Sequence, residues 1–219
     1  MTLVEAAVDS LDAIDVAEQV GVDRIELCEA LSEGGLTPSW GFIAAATARA
    51  LPVIPIIRPR GGNFVYSRHE VEVMRRDIEI ALSLGALGVA TGALRENGEI
   101  DLTAVKGLVA AAGSAPVTFH RAFDSTPDLS VALDQLIDLG VARVLTSGGA
   151  PSALEGAAAI ERLVEQAAGR ITVMAGGKIR DGNVREVIAR TRVTEVHARA
   201  LDEAPMRALV SRAREAQTG

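Results

Sequence analysis

Short stretches of this chain hold the residues best equipped for chemistry. RIELC (24–28) sets Glu26 two positions from Cys28, the only cysteine. IRPRGG (57–62) joins Arg58 and Arg60 to Gly61 and Gly62, FHRAFD (119–124) carries His120, Arg121 and Asp124, and EVHARA (195–200) carries His197. Two glycine-rich loops, TSGG (146–149) and MAGG (174–177), add Ser147, Gly148, Gly149, Gly176 and Gly177. A cysteine thiolate is the ligand that soft metals such as copper prefer, so Cys28 is the metal-ligand candidate. Histidine and glutamate move protons near neutral pH once their surroundings tune them, which makes Glu26 and His120 candidate catalytic groups with Asp124 as an orienting or anchoring partner. Arginines and the backbone N–H groups of paired glycines receive anions. Arg58, Arg60, Gly61, Gly62, Arg121, Ser147, Gly148, Gly149, Gly176, Gly177 and His197 are therefore the candidate ligand-binding residues. The chain has no CxxC, HExxH, GxSxG or Walker loop, which leaves these stretches as its chemical signals.

These residues need a frame to meet. Short β-branched runs recur at 3–8, 23–28, 52–58, 87–92, 116–122, 142–148, 170–176 and 194–200, with helical spacing between them. Helices are expected over 10–21, 67–85 and 152–169. Thr37 before Pro38 reads as an N-cap followed by a first-turn proline. Ser67 with Glu70 has capping-box form, and Gly21, Gly85 and Gly140 stand where left-handed C-caps are wanted. Eight strand–helix units predict an α/β fold, a single-domain TIM-type (β/α)8 barrel over 1–219, compact and with a short C-terminal unit. An open doubly wound sheet is disfavoured because no GxGxxG follows the first strand.

Alternation along the strands then sorts the side chains. Val4, Ala6, Val8, Ile25, Leu27, Val117, Phe119 and Val196 make the outward set against the helices. Glu5, Ala7, Arg24, Glu26, Cys28, Thr118, His120, Glu195 and His197 fall on the inward parity. Strand 3 is apolar on both parities, so its direction is open. Polar groups repeated inside a barrel mean either a site at its C-terminal mouth or a self-satisfied ion network such as Glu26 with Arg58. His69 and the Arg75–Arg76 pair read as solvated helix surface.

Composition narrows the classes. A formal charge of −7 argues against nucleic acid or an anionic membrane as partner, while allowing a local cationic pocket for a small anion. One cysteine cannot close an internal disulfide, and the reducing cytoplasm is the expected compartment. The opening MTLVEAAVDS lacks a basic and then apolar leader, so no signal peptide is expected.

The stretches VDS (8–10), DRIELC (23–28), EGGLTPS (33–39), IRPRGG (57–62), VTFHRAFD (117–124), RVLTSGG (143–149), SALEG (152–156) and MAGG (174–177) resemble the CutC family, in order and spacing from about residue 3 to 198. The resemblance implies a cytoplasmic TIM-type barrel, often a homodimer, with a role in copper homeostasis and copper as the ion bound. Animal members carry a second cysteine where this chain has Ala7, and bacterial members often carry another at Val65. Serines that often follow the strand-8 histidine are Ala198 and Arg199 here. A two-thiolate Cu(I) site therefore cannot form within one chain; Cys28 could join His120 or His197 in a mixed site, share a thiolate site across a dimer interface, or be a small buried core residue. Three readings stand side by side. One is a metal-handling protein. Another is a barrel enzyme of isomerase, lyase or aldolase type acting on a small phosphorylated or carboxylated metabolite. The third is a non-catalytic barrel that senses a metabolite.

Overall fold

The computed structural model describes residues 2–199 and 202–216. The strands are β1 (Leu3–Val8), β2 (Arg24–Leu27), β3 (Val53–Pro55), β4 (Val89–Thr91), β5 (Val117–Phe119), β6 (Arg143–Thr146), β7 (Thr172–Gly176) and β8 (Glu195–Arg199). The helices following them are α1 (Leu11–Val20), α2 (Trp40–Thr47), α3 (Arg68–Ser83), α4 (Leu102–Ala112), α5 (Leu129–Asp138), α6 (Ala157–Ala167), α7 (Val184–Thr191) and α8 (Glu203–Glu215). The strand order is β3-β2-β1-β8-β7-β6-β5-β4, every pairing parallel. A lone parallel bridge between Ile56 and Ala90 joins the two ends. The result is the TIM-type (β/α)8 barrel that the unit count predicts.

Local chemistry explains most boundaries. Ser10 caps α1 by accepting from Ala13 N–H, and Gly21 ends it at φ 75°, where a side chain would be strained. Ser67 and Glu70 form the full capping box of α3. Two expectations are corrected. The N-cap of α2 is Ser39, not Thr37, because the Thr37 hydroxyl is engaged by Arg58 N–H at 2.9 Å. The helix expected from 152 begins at Ala157, because Ser152 and Glu155 bond to each other and hold a turn there.

The outward set joins one aliphatic core with helix residues such as Ile14, Met74, Ile78 and Leu163. Val53 and Ile57 join it too, whereas Ile54, Ile56, Ala90 and Cys28 form a small separate cluster inside the barrel. That settles the direction of β3 and turns Arg58 inward. The inward polar residues divide by depth. Deeper in the lumen, Arg24 bridges Glu5 and Glu195, and Arg143 joins Glu195 at 2.6 Å and the Thr118 hydroxyl at 3.0 Å. Glu5 and Arg24 are almost fully buried, so each charge depends on the other. Glu26 is not paired with Arg58; it belongs to a separate group nearer the mouth, as does His197.

Burial works against the Glu5 charge, but His197 and Arg24 outweigh it and hold its pKa near about 2, down from 4.5. Its contribution to stability is therefore complete above pH 4.5 and drains away as the pH falls toward 2. The urea midpoint is expected to fall through that window, and Glu5→Gln should flatten that part of the profile. Arg24→Met removes the cation that Glu5 and Glu195 share, leaving each buried carboxylate only its second partner, His197 or Arg143, and is expected to cost about 3–5 kcal/mol in urea unfolding at neutral pH. A loss no larger than that of a surface substitution would show that water already reaches the cluster.

Candidate functional site

A chamber of about 430 Å³ opens at the C-terminal mouth, where the strand ends meet their loops. Of the residues singled out above, Glu26, Arg58, His120, Arg121, Gly177 and His197 line it together. Ala7, Lys178 and Arg180 line it as well. β2 delivers Glu26, the end of β3 delivers Arg58, β5 delivers His120, and β8 delivers His197, each on the inward parity of its strand.

His197 stands between two carboxylates. Its Nδ1 lies 2.8 Å from Glu5 Oε1, and its Nε2 lies 3.7 Å from Glu26 Oε2. Burial opposes a charge on this ring, but Glu26 and Glu5 together raise its pKa. Burial, with the Glu5 charge adding to it, pushes the Glu26 carboxyl up. Ligand atoms of Glu5, Glu26 and His197 lie within 4.8 Å of one another. Among the described residues, this is the group of metal-ligating side chains close enough to share an ion. Glu5 is already engaged by Arg24 and by His197 Nδ1. It is thus the partner that orients the imidazole, leaving His197 Nε2 and Glu26 facing each other.

Cys28 stands behind this pair and does not line the chamber. Its side chain is packed with Ile54, Ile56 and Ala90, and its Sγ approaches Glu26 Oε2 at 3.4 Å. Burial and then the neighbouring Glu26 raise the thiol well above its ordinary value, so it is held as a thiol rather than a thiolate.

His120 has a different character. Its Nδ1 accepts from Ala122 N–H at 3.3 Å, and burial, helped by the charge of Arg58, lowers its pKa to about 3. The ring is therefore neutral, with its proton on Nε2. Gly92 makes room for it: a Cβ there would fall 2.8 Å from His120 Cε1. Arg58 is clamped by carbonyl oxygens, with Nη1 donating to Glu33 at 2.6 Å and Gly35 at 3.1 Å, and Nη2 donating to Gly62 at 2.9 Å.

Other singled-out residues lie elsewhere. Arg60 turns away from the chamber, bonding Glu70 at 2.6 Å and the Val65 carbonyl at 2.6 Å. Gly61 packs against the Glu33 carboxylate, and Gly62 supplies its carbonyl to Arg58. Asp124 does not face the chamber either. Its carboxylate accepts from Ser147 N–H at 3.0 Å, Gly149 N–H at 3.1 Å and the Thr146 hydroxyl at 2.5 Å, and it pairs with Arg121 at 2.7 Å. The Gly148 N–H is taken by Thr146 Oγ1 at 2.8 Å. The donors of this loop are thus met from within the chain, by an anion that the protein supplies itself. Gly176 ends β7 between Leu145 and His197, where a Cβ would lie 2.5 Å from Leu145 Cδ1 and 3.4 Å from His197 Cβ.

Glu5, bonded to His197, and Arg180, lining the chamber, carry no motif of their own. The signal for Glu5 was its inward parity, and for Arg180 the cationic run KIR directly after the MAGG glycines.

The family model described as the CutC family matches residues 2–201. The chain is 50% identical over 199 residues to the human protein named copper homeostasis protein cutC homolog, covering 90% of this chain and 73% of that one. It is 49% identical over 195 residues to a family protein CutC of Glaesserella parasuis, covering 89% and 80%. The crystal structure of CutC from Streptococcus agalactiae superposes with a TM-score of 0.86 at 36% identity, over 90% of this chain and 98% of that one. A family match along nearly the whole chain, relatives at half identity and a shared barrel agree: the chain belongs to the CutC family.

Proposed function

We propose that this protein serves copper homeostasis, as the name of its human relative describes, by holding a copper ion between His197 Nε2 and Glu26 on the chamber floor. The observation that carries the reading is the disposition of His197, with one ring nitrogen on Glu5 at 2.8 Å and the other turned toward Glu26. A metal-bound histidine commonly donates its second N–H to a carboxylate in this manner. An ion roughly 2.1 Å from each ligand fits between atoms 3.7 Å apart.

The donor set decides the oxidation state. Imidazole nitrogen and carboxylate oxygen suit Cu(II), while Cu(I) favours thiolates. The chain has one cysteine, held as a buried thiol, and Ala7 stands where animal relatives carry the second. The copper cargo is therefore divalent in this reading. Cys28 supports Glu26 from behind by donating its S–H.

The protein is also taken to be cytoplasmic and homodimeric, on the family resemblance. Among the described residues no helix is long and apolar enough to cross a membrane. Light scattering after size exclusion should give twice the mass of one chain, and a single-chain mass would remove the dimer.

Titration with Cu(II) in air, and with Cu(I) under argon against a chromogenic chelator, tests the ion. Saturable one-to-one Cu(II) binding is expected, with an electron paramagnetic resonance spectrum showing one coordinated imidazole. His197→Ala and Glu26→Gln should abolish it, and Cys28→Ser should leave it. Glu5→Gln, which loosens the hold on His197 Nδ1, should weaken it by about 10–100-fold. Tight Cu(I) binding that disappears in Cys28→Ser would refute the carboxylate–imidazole site.

A further inference from the structure

Two donors in the chamber wall have nothing to bond. His120 Nε2 and Arg58 Nε are both buried without a hydrogen-bond partner, on side chains only 3% and 5% exposed. Both residues line the same chamber. A buried polar group left unsatisfied costs on the order of 1–3 kcal/mol, and such groups in native proteins call for a specific explanation. Both are donors: the His120 ring keeps its proton on Nε2 because Nδ1 accepts from Ala122, and a guanidinium Nε can only donate. Each calls for an acceptor; the Tyr66 hydroxyl, itself buried without a partner, lies beside the Arg58 guanidinium, and His120 Nε2 remains unmet.

The rim has a matching sign. Lys178 and Arg180 are exposed, line the opening, and have no carboxylate within ion-pair distance among the described residues. Arg121, also at the rim, is committed to Asp124. In a chain of net charge −7, these two cations stand at a chamber that the Glu26 and Glu33 carboxylates also line, and Arg180 gives one Nη1–H to the Ile179 carbonyl at 2.7 Å. The wall also carries carbon. Phe64 packs against His120 with ring centroids 5.0 Å apart and lies under Arg58 at 4.9 Å, and Ile56 and Leu145 line the same space.

We propose that the chamber binds a small organic oxyanion, a carboxylate or phosphate on a short carbon skeleton, whose oxygens accept from His120 Nε2–H and Arg58 Nε–H beneath Lys178 and Arg180. The proposal goes beyond the copper reading and does not require it, since its donors are not the residues assigned to the ion. The glycine loop after β6 takes no part, because Asp124 occupies it. Phe64, Ile56 and Leu145 make room for the skeleton, so an organic anion should bind more tightly than inorganic phosphate.

The test is calorimetric titration of the purified full-length chain in EDTA, which keeps any ion out of the measurement. The probes are inorganic phosphate, glycerol 3-phosphate and malate. Saturation by glycerol 3-phosphate or malate with a dissociation constant below about 1 mM is expected, and whichever saturates tells phosphate from carboxylate. His120→Phe keeps the ring packing without the donor and should weaken binding by about tenfold or more, while His120→Gln, which keeps an N–H, should retain part of it. The double variant Lys178→Ala/Arg180→Ala changes only exposed residues and should also weaken binding. It carries the test if the buried variants do not fold. In long-range proton–nitrogen spectra the Nε2–H resonance of His120, one of three histidines, should shift on saturation. Failure of all three probes to saturate overturns the proposal, as does binding that neither the His120→Phe nor the rim variant weakens. Copper binding persisting in the His120→Phe and rim variants would separate the two readings.

Discussion

A buried charge cannot be left alone, and this barrel is arranged around that fact. Arg24 stands almost fully enclosed among strand residues and is tolerable there only because Glu5 and Glu195 flank it. Arg143 extends the chain of charges to the Thr118 hydroxyl. The constraint propagates upward. Glu5, fixed by Arg24, accepts from His197 on its other oxygen, and the orientation of His197 in turn faces Nε2 to Glu26. A network that merely closes the bottom of a barrel therefore sets the geometry of the layer above it. The same burial that makes the network costly pushes Glu26 up and holds Cys28 as a thiol, whereas at His197 the Glu26 and Glu5 carboxylates override it and raise the proton affinity.

Much of this frame is legible in the sequence because it follows from alternation. Two-residue periodicity separates Val4, Ala6 and Val8 from Glu5 and Ala7, and Ile25 and Leu27 from Glu26 and Cys28, as the core shows. The strand–helix count leads to the barrel. What alternation does not carry is depth. Glu5, Arg24, Glu26 and His197 share an inward direction, yet two belong mainly to a structural network and two to the chamber. Their assignment depends on the stagger between neighbouring strands, which no single strand encodes. For the same reason a polar chamber and an ion network, alternatives on paper, coexist at different levels of one lumen. β3 was opaque because it is apolar on both faces; only its neighbours reveal that Ile54 and Ile56 turn inward.

The loops were harder to read, and the reason is physical. A pair of glycines advertises free N–H groups, but whether they stay free depends on side chains distant in sequence. Asp124 reaches Ser147 and Gly149 across more than twenty residues and fills the cradle that the TSGG motif suggests. Arg58 and Arg60 are two positions apart in one motif, yet carbonyls clamp the first at the chamber and Glu70 draws the second away. The unsatisfied nitrogens of His120 and Arg58 are invisible without coordinates, because they are defined by what is missing around them.

The seam between β3 and β4 gives the barrel a mechanical asymmetry. Elsewhere each strand is laced to its neighbour by a ladder of paired residues, whereas here a single bridge at Ile56–Ala90 closes the hoop, helped by Ile57 N–H to the Ala90 carbonyl at 2.7 Å and the Thr91 hydroxyl to the Ile57 carbonyl at 3.0 Å. A closed ring shares strain around its circumference, and the thinnest weld yields first. Ile56 and Arg58 border that weld and also wall the chamber. A molecule seated against Ile56 and Arg58 would therefore also press on the one seam that a single bridge closes.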